Sequence, residues 1–269
     1  MPGFRHILFP VDFSDRCATV RPFVRHLANK SAAKVTLLHT FAKTHGLCGA
    51  SEGAFAAPFD LEQMHEESCT LLAEFFPAET DDRFEIARSA ACGDPAGAIV
   101  VFAARNDVDL IMLPTHGHGI FHRLLLGSVT SKILDTAQCA VWTAAHTEDP
   151  TLPSHAKCRT IVLALNATPD EAQTIRRAFD VCAAFSEKLI LLQGLKDSSA
   201  AEGARARIEV LQRTAQTNLE VAIEPGDPVE AVARFAQKTN ADLLIVGRGN
   251  LRAKSQEIIR NARCPVLSL

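Results

Sequence analysis

A glycine-rich stretch, PTHGHGIFHRLLLGSVT, follows a short apolar run and contains the residues best suited to holding a phosphate. Gly117 and Gly127 are separated by nine residues, and Gly127 leads into Ser128-Val129-Thr130. Glycine lets a backbone approach a ligand closely, and a helix beginning at Gly127-Ser128 would offer free N–H groups at its positive end. The spacing matches neither a Walker P-loop nor a dinucleotide fingerprint. The stretch predicts phosphate binding, with a purely structural turn as the alternative.

Asp12 is the second candidate for ligand binding. It ends the segment ILFPVD at the end of an apolar run, and Ser14 is placed to cap the helix that follows. An aspartate at the carboxyl end of a central strand can accept a hydrogen bond from an amino or hydroxyl group of a ligand. The alternative is that Asp12 is a second capping residue.

Histidines crowd the glycine-rich stretch, at His116, His118 and His122. They could ligate zinc, but no cysteine or carboxylate lies at ligand spacing, so we expect them, with Arg123, to face phosphates or solvent. His39 follows a buried run and is expected to be a core or rim histidine. No Ser-His-Asp or Cys-His arrangement has a recognisable spacing, so no catalytic residue is predicted.

The elements that would position these residues alternate between strand and helix. Branched apolar runs predict strands at Ile7 to Val11 and Val35 to Leu38, with a helical apolar spacing between them. Further elements follow in the same alternation: a helix after Asp60 ending near Phe76, a strand around Phe84 to Ala87, a helix opening at Asp94-Pro95 and a strand from Val108 to Leu113. This order predicts a doubly wound, parallel α/β sheet.

The chain repeats itself. Residues 93–113 and 226–246 share 8 of 21 positions, including the opening GDP in both, which reads as a helix start with an Asp cap and Pro in the first turn. The offset between copies falls from 154 to 133 and then to 125, so the second copy lacks 21 residues after its second strand and 8 after its fourth. In an open parallel sheet those are the loops that build ligand sites. We therefore predict domains at 1–146 and 158–269, joined by a linker at 147–157, with a complete site only in the first.

Composition excludes several classes of protein. The chain of 269 residues has 28 Lys+Arg against 31 Asp+Glu, a net charge of -3, which disfavours nucleic acid as a partner. Its eight cysteines form no C-x-x-C pair and are expected to be reduced. The longest apolar run, Ala96 to Ala104, is about half of what a bilayer span needs. We expect a cytoplasmic protein that does not enter a membrane.

The combination of ILFPVDFSD, LLHT at 37–40, the P-T-H-G pattern with nine residues before G-S-V-T, and a closing CAVW run resembles the universal stress protein family, in two tandem copies. The resemblance implies two five-stranded, mostly parallel sheets with helices on both faces, of the adenine nucleotide alpha hydrolase-like type. It also implies binding of ATP, or of AMP or ADP, with Mg²⁺ accompanying the nucleotide. The implied binding residues are Pro10, Asp12, Phe13, Thr40, Pro114, His116, Gly117, Gly127, Ser128, Val129 and Thr130.

Two departures from the family pattern bear on function. Pro114 replaces the first loop glycine and has no N–H, so any contact from that amide is lost. The second copy has Asn166 in place of the aspartate, retains Gly247 and Gly249, and has Arg252-Ala253 where Gly127-Ser128 would fall. We predict that the second copy binds no nucleotide.

The final apolar runs, Cys139 to Ala144 and Cys264 to Leu269, would leave exposed sheet edges unless covered. The resemblance implies that they pair with each other as an internal pseudo-dimer, with a homodimer through remaining edges also open; the alternative cover is a helix or the linker. The expected function is a nucleotide-dependent stress-response regulator with an unidentified protein partner. A nucleotide-free interaction scaffold and a weak ATPase are the alternatives.

Overall fold

The computed structural model describes residues 3–41, 61–115, 126–144, 159–165, 169–185, 188–247 and 252–269. Strands and helices alternate along these segments. The strands are β1 (His6–Val11), β2 (Lys34–Phe41), β3 (Ile86–Cys92), β4 (Leu110–Leu113), β5 (Ala140–Thr143), β6 (Thr160–Leu165), β7 (Lys188–Leu195), β8 (Glu220–Pro225), β9 (Leu243–Val246) and β10 (Val266–Ser268). The helices are α1 (Asp15–Ser31), α2 (Leu61–Phe75), α3 (Pro95–Arg105), α4 (Ser128–Thr136), α5 (Glu171–Phe185), α6 (Ala201–Ala215), α7 (Pro228–Lys238) and α8 (Arg252–Asn261).

The strands form one ten-stranded sheet in the order β3-β2-β1-β4-β5-β10-β9-β6-β7-β8. Within each half the neighbouring strands are parallel, and each half has the same order with its first strand between its second and fourth. The predicted fold class, two tandem doubly wound α/β units of five strands, is confirmed. The switch in strand order lies between β1 and β4 in the first half, where ligands bind in folds of this kind.

Both faces of the sheet are buried under helices, which explains why the strands read as continuous apolar runs. Phe9 and Val11 face one layer, formed by α1, α2, α5 and α6, while Leu8 faces the other, formed by α3, α4, α7 and α8. Each apolar layer continues from one half of the chain into the other. The two halves therefore share their cores.

The halves meet at an antiparallel seam between their final strands. Leu267 pairs with Trp142, and Val266 pairs with Thr143. The predicted internal pairing of the final strands is thus confirmed. Strand β5 is also bonded to β4, and β10 to β9, so each final strand is paired on both sides. The prediction of a homodimer through remaining edges stays a prediction.

Helices α4 and α8 pack beside the seam and exchange side-chain hydrogen bonds. Gln256 of α8 donates from Nε2 to Asp135 Oδ1 at 2.8 Å and accepts at Oε1 from Ser131 Oγ at 3.4 Å. Because α4 begins at the carboxyl end of the first half's sheet, this contact ties the second half to a helix of the candidate site.

The GDP segments open helices as predicted. Asp94 Oδ2 accepts from the N–H of Gly97 at 2.9 Å and Asp227 Oδ1 from that of Val229 at 3.0 Å, with proline in the first turn of each helix. The capping hydrogen bond from Val229 lowers the pKa of Asp227. The pKa of Asp94 is lowered mainly by its hydrogen bond from Lys132 and next by the one from the Gly97 N–H. These segments are therefore structural in both halves.

The sequence also led to expectations about the cysteines, about membrane-spanning helices and about the linker. The cysteines of the described segments form no disulfides with one another: Cys17, Cys69, Cys92, Cys139, Cys182 and Cys264. Within the same segments no helix combines the length and apolarity needed to cross a membrane. The predicted linker, 147–157, lies outside the described residues.

Candidate functional site

The carboxyl ends of three strands bring the predicted residues of the first half together. Strand β1 pairs with β2 on one side and with β4 on the other. Asp12 directly follows β1, Thr40 is the penultimate residue of β2, and Pro114 directly follows β4. These three positions, predicted from separate parts of the sequence, lie at one edge of the sheet and at its switch in strand order.

The turn from β1 to α1 is held by the Asp12 carboxylate. Oδ1 of Asp12 accepts from the N–H of Ser14 at 3.0 Å and from its hydroxyl at 2.6 Å. The Ser14 hydroxyl oxygen in turn accepts from the N–H of Cys17 at 3.1 Å and caps α1, as predicted. The capping alternative for Asp12 therefore holds in an indirect form: Asp12 orients the residue that caps the helix.

Phe13 lies between Asp12 and Ser14 and has a left-handed backbone conformation, with φ at 59°. That conformation is costly for a bulky side chain and persists only where the surroundings fix it. The rings of His39 and Phe75 do so, at centroid distances of 4.7 Å and 5.7 Å from the Phe13 ring. Phe13 thus packs beneath the site edge and sets the direction of the turn that carries Asp12.

His39 links β2 to the end of β1. Its Nδ1 lies 2.8 Å from the carbonyl oxygen of Val11, the residue with which it is paired in the sheet. The prediction of a rim histidine with a satisfied hydrogen bond is therefore confirmed, whereas the stacking of its ring against Phe13 could not be predicted from the sequence.

Cys17 lies immediately below the turn but is not a nucleophile. Burial raises the pKa of its thiol to about 12, the nearby Asp12 charge adds to this rise, and its Sγ donates weakly to the carbonyl of Pro10 at 3.6 Å. A thiol with so high a pKa carries almost no thiolate at neutral pH. The position contributes packing.

Helix α4 presents its amino end at the same edge. Gly127 precedes it, and no side chain caps its first amides. The first hydrogen bond of the helix runs from Ser131 N–H to the Gly127 carbonyl, so the N–H groups of Ser128, Val129 and Thr130 have no partner within the helix. These amides and the helix dipole favour an anion at this point.

The ends of the loop before α4 are joined by two hydrogen bonds. The N–H of Gly127 donates to the carbonyl of Thr115 at 2.9 Å, and the Thr130 hydroxyl donates to the carbonyl of Pro114 at 3.1 Å. The Gly127 amide is thus already hydrogen-bonded within the loop, and the contact of Gly127 with a nucleotide stays a prediction. Its φ of -58° shows that glycine is not required there for a left-handed turn.

The middle of this loop, residues 116–125, lies outside the described residues. The predictions for His116, Gly117, His118, His122 and Arg123 are therefore unchanged. Across the segments that the structure does describe, no three His, Cys, Asp or Glu side chains form a group that could hold a metal ion.

The second half differs at the equivalent positions. Glu171 takes the place of Cys17, and Gln193, paired with Leu165, takes the place of His39. Arg207 of α6 forms an ion pair with Glu171, whose side chain is only 3% exposed, and donates from Nη2 to Gln193 Oε1 at 2.6 Å. A charged network of the chain's own side chains fills this region. Residues 166 and 248–251, including Asn166 and Gly249, lie outside the described residues.

This network was missed from the sequence, although a signal was present. Glu171 falls at a core position of the helical pattern, where the first copy has a buried cysteine. An acid at a buried position requires a cation, and the repeat offset could have identified the position.

A groove of about 760 Å³ lies elsewhere, between α1 and the connection from α2 to β3. Two arginines of α1 bind that connection. Arg21 donates to the carbonyl of Phe75 at 2.8 Å. Arg25 donates to the carbonyl of Pro77 at 2.7 Å and forms ion pairs with Glu79 and Asp82. Because the groove is lined by helix and connection rather than by strand ends, we assign the candidate site to the strand ends.

Comparison with known proteins agrees with this architecture. The model of the universal stress protein family matches residues 3–144 and again residues 157–269. A universal stress protein of Methanocaldococcus jannaschii is 26% identical over 143 residues, covering 49% of this chain and 88% of that protein. One from Mycobacterium tuberculosis is 26% identical over 186 residues, covering 60% of this chain and 62% of its own length.

A solved structure matches both halves at once. The universal stress protein from Archaeoglobus fulgidus superposes with a TM-score of 0.72 at 18% identity, covering 100% of this chain and 97% of that one. At that identity the likeness concerns the fold. The two family-model matches cover nearly the whole chain, and the chain therefore belongs to the universal stress protein family, as a member with two tandem domains.

Proposed function

We propose that this chain is a cytoplasmic stress-response protein that binds ATP, or the related nucleotides AMP or ADP, in its first half and regulates a protein partner according to the bound nucleotide. The observation that supports this is the meeting of Asp12, Thr40 and the uncapped amino end of α4 at one switch point. An acceptor for amino or hydroxyl groups and an anion-binding helix end are the two kinds of group that a nucleoside phosphate needs.

Different residues of the chain would bind the phosphates and the nucleoside. The amides of Ser128, Val129 and Thr130 would hold phosphate oxygens, because the helix dipole and their N–H groups act in the same direction. The Asp12 carboxylate, already fixed by Ser14, would accept from the nucleoside. Mg²⁺ would accompany the nucleotide, because phosphate oxygens are ligands that Mg²⁺ prefers.

We propose a structural role for the second half. Arg207, Glu171 and Gln193 occupy its equivalent region, and the connection from β9 to α8 is reduced to residues 247–251, against 114–127 in the first half. An ion pair that is already satisfied gives a ligand little to bind. We expect one nucleotide site per chain.

Titration calorimetry of the full chain with ATP tests this proposal. We expect one site per chain, and an Asp12→Asn variant that binds about 10-fold to 100-fold more weakly, since a hydrogen bond to a charged group contributes about 1.5–3 kcal/mol. Asp15→Asn, an exposed acid in the first turn of α1, is the matched control and should bind like the parent chain.

Two outcomes would favour the alternatives. The absence of binding at millimolar ATP would indicate a nucleotide-free scaffold, which the self-bonded ends of the loop before α4 favour. Steady phosphate release that disappears in Asp12→Asn would indicate a weak ATPase. Two sites per chain would contradict the structural role of the second half.

A further inference from the structure

We propose that His39 accepts a hydrogen bond from the exocyclic amino group of adenine and so determines the preference of the site for adenine over purines with an oxygen at that position. The inference rests on the proposed nucleotide-binding function and deepens it. His39 lies in β2 next to Thr40, and it is paired with Val11, the residue before Asp12. It is thus adjacent to both predicted nucleoside contacts.

The hydrogen bond of His39 fixes its tautomer. Nδ1 is 2.8 Å from the Val11 carbonyl oxygen, and because a carbonyl can only accept, Nδ1 must carry the proton. In the neutral ring Nε2 is then an acceptor with a lone pair in the ring plane. In the described part of the chain, the Val11 carbonyl is the hydrogen-bond partner of this ring, and Nε2 has none. The ring therefore has an acceptor that no described residue uses.

The ring is also held in place. Phe13 stacks against it at 4.7 Å, and Phe13 is itself fixed by Phe75 at 5.7 Å and by its left-handed backbone. An acceptor held on two sides loses little conformational freedom when a ligand binds. The strained turn at Phe13 thus serves to preorganise His39.

In the second half, the residue equivalent to His39 accepts a hydrogen bond from an arginine. Gln193 is the repeat equivalent of His39, and its register with Leu165 matches that of His39 with Val11. Oε1 of Gln193 accepts at 2.6 Å from Nη2 of Arg207, whose guanidinium is a planar group of sp² N–H donors. The amino group of adenine is also a planar sp² N–H donor. The equivalent position in the second half thus accepts a hydrogen bond from a planar sp² donor, and we expect His39 to accept one from the same kind of donor on a ligand.

Calorimetric titration of the full chain with ATP and with inosine triphosphate tests this inference. Inosine triphosphate carries a carbonyl oxygen where ATP carries the amino group, so two acceptors would face each other. We expect the parent chain to prefer ATP by about 10-fold or more, and His39→Phe, which keeps a ring against Phe13 without an acceptor, to bring the ratio within about 2-fold.

Three further variants make the result specific. His39→Gln installs the acceptor of the second half and should retain most of the preference. His39→Leu is a second acceptor-free variant, should His39→Phe fail to fold in a thermal melt. His65→Phe replaces an exposed histidine of α2 and should leave the ratio unchanged.

The outcomes separate this inference from the proposed function. If the parent chain binds ATP with a ratio near one, or if the acceptor-free variants keep its preference, the assignment of His39 is wrong and nucleotide binding stands. If the parent chain binds neither nucleotide at millimolar concentration, the proposed function fails and this inference fails with it.

Discussion

Asp12 has two roles that must be separated, because it supports a helix cap as well as facing the candidate site. We predict that Ser14→Ala, which removes the cap of α1 but keeps the Asp12 carboxylate, lowers the free energy of unfolding by about 1 kcal/mol. Its ATP affinity should stay within about 2-fold of the parent value, since tenfold would require about 1.4 kcal/mol of lost binding energy. Urea denaturation and calorimetry measure the two quantities. A loss of affinity as large as that of Asp12→Asn would show that the cap, not the carboxylate, determines binding.

His26 makes stability depend on pH. Burial, and then the neighbouring Lys30 ammonium, hold the pKa of its imidazole below the usual 6.5. The unfolded chain therefore takes up a proton near that pH while the folded chain does not, so stability falls as the pH falls through the usual value. We predict that the parent chain loses more thermal stability between about pH 7.5 and about pH 5.5 than His26→Gln does. Equal losses in differential scanning fluorimetry would contradict this.

At the scale of elements, Arg207 of α6 joins α5 through an ion pair with the buried Glu171 and β7 through a hydrogen bond to Gln193. We predict that Arg207→Ala lowers the free energy of unfolding by about 3 kcal/mol, because it removes the Arg207 cation from the buried Glu171 carboxylate. The Glu171→Leu/Arg207→Leu double variant should recover most of that loss. Arg205→Ala, an exposed arginine of the same helix, is the control and should change stability by less than about 0.5 kcal/mol. Chemical denaturation measures all three.

Most elements of the fold could be predicted from the sequence, because buried parallel strands give strong apolar runs. Strand β3 is the exception: the expected strand around Phe84 to Ala87 runs instead from Ile86 to Cys92. Most of its residues, IARSAAC, are small, and all of them are only half-buried at the edge of the sheet, so neither alternation nor a branched apolar run marks the strand. Pairing along the whole of β2 determines its bounds.

The candidate site could be predicted in its positions but not in its internal contacts. The spacing of Asp12 and Ser128 from their strands follows from the fold, and the structure places both at one edge. The commitment of the Gly127 amide to Thr115 and the stacking of Phe13 on His39 depend on distances between separate loops, which a sequence pattern does not contain.

At the scale of the whole molecule, the apolar layers continue across the seam. We predict that the full chain unfolds in one cooperative transition, because neither half can lose its core without exposing the core of the other. The single tryptophan of the chain, Trp142, is 6% exposed and lies at the seam, so its fluorescence reports on the contact between the halves. Its transition in urea should coincide with that of far-UV circular dichroism. A tryptophan transition at lower urea would show that the seam opens first.

The antiparallel seam has a geometric consequence. Since every other pair of neighbouring strands is parallel, the strands of the two halves run in opposite directions, and their carboxyl ends lie at opposite borders of the sheet. A symmetric pair of such domains would have two identical borders. Here one border carries the candidate site and the other carries the Arg207 network, so the two borders of the duplicated molecule differ. We therefore expect a partner that senses the proposed ligand to bind at the border that carries the candidate site.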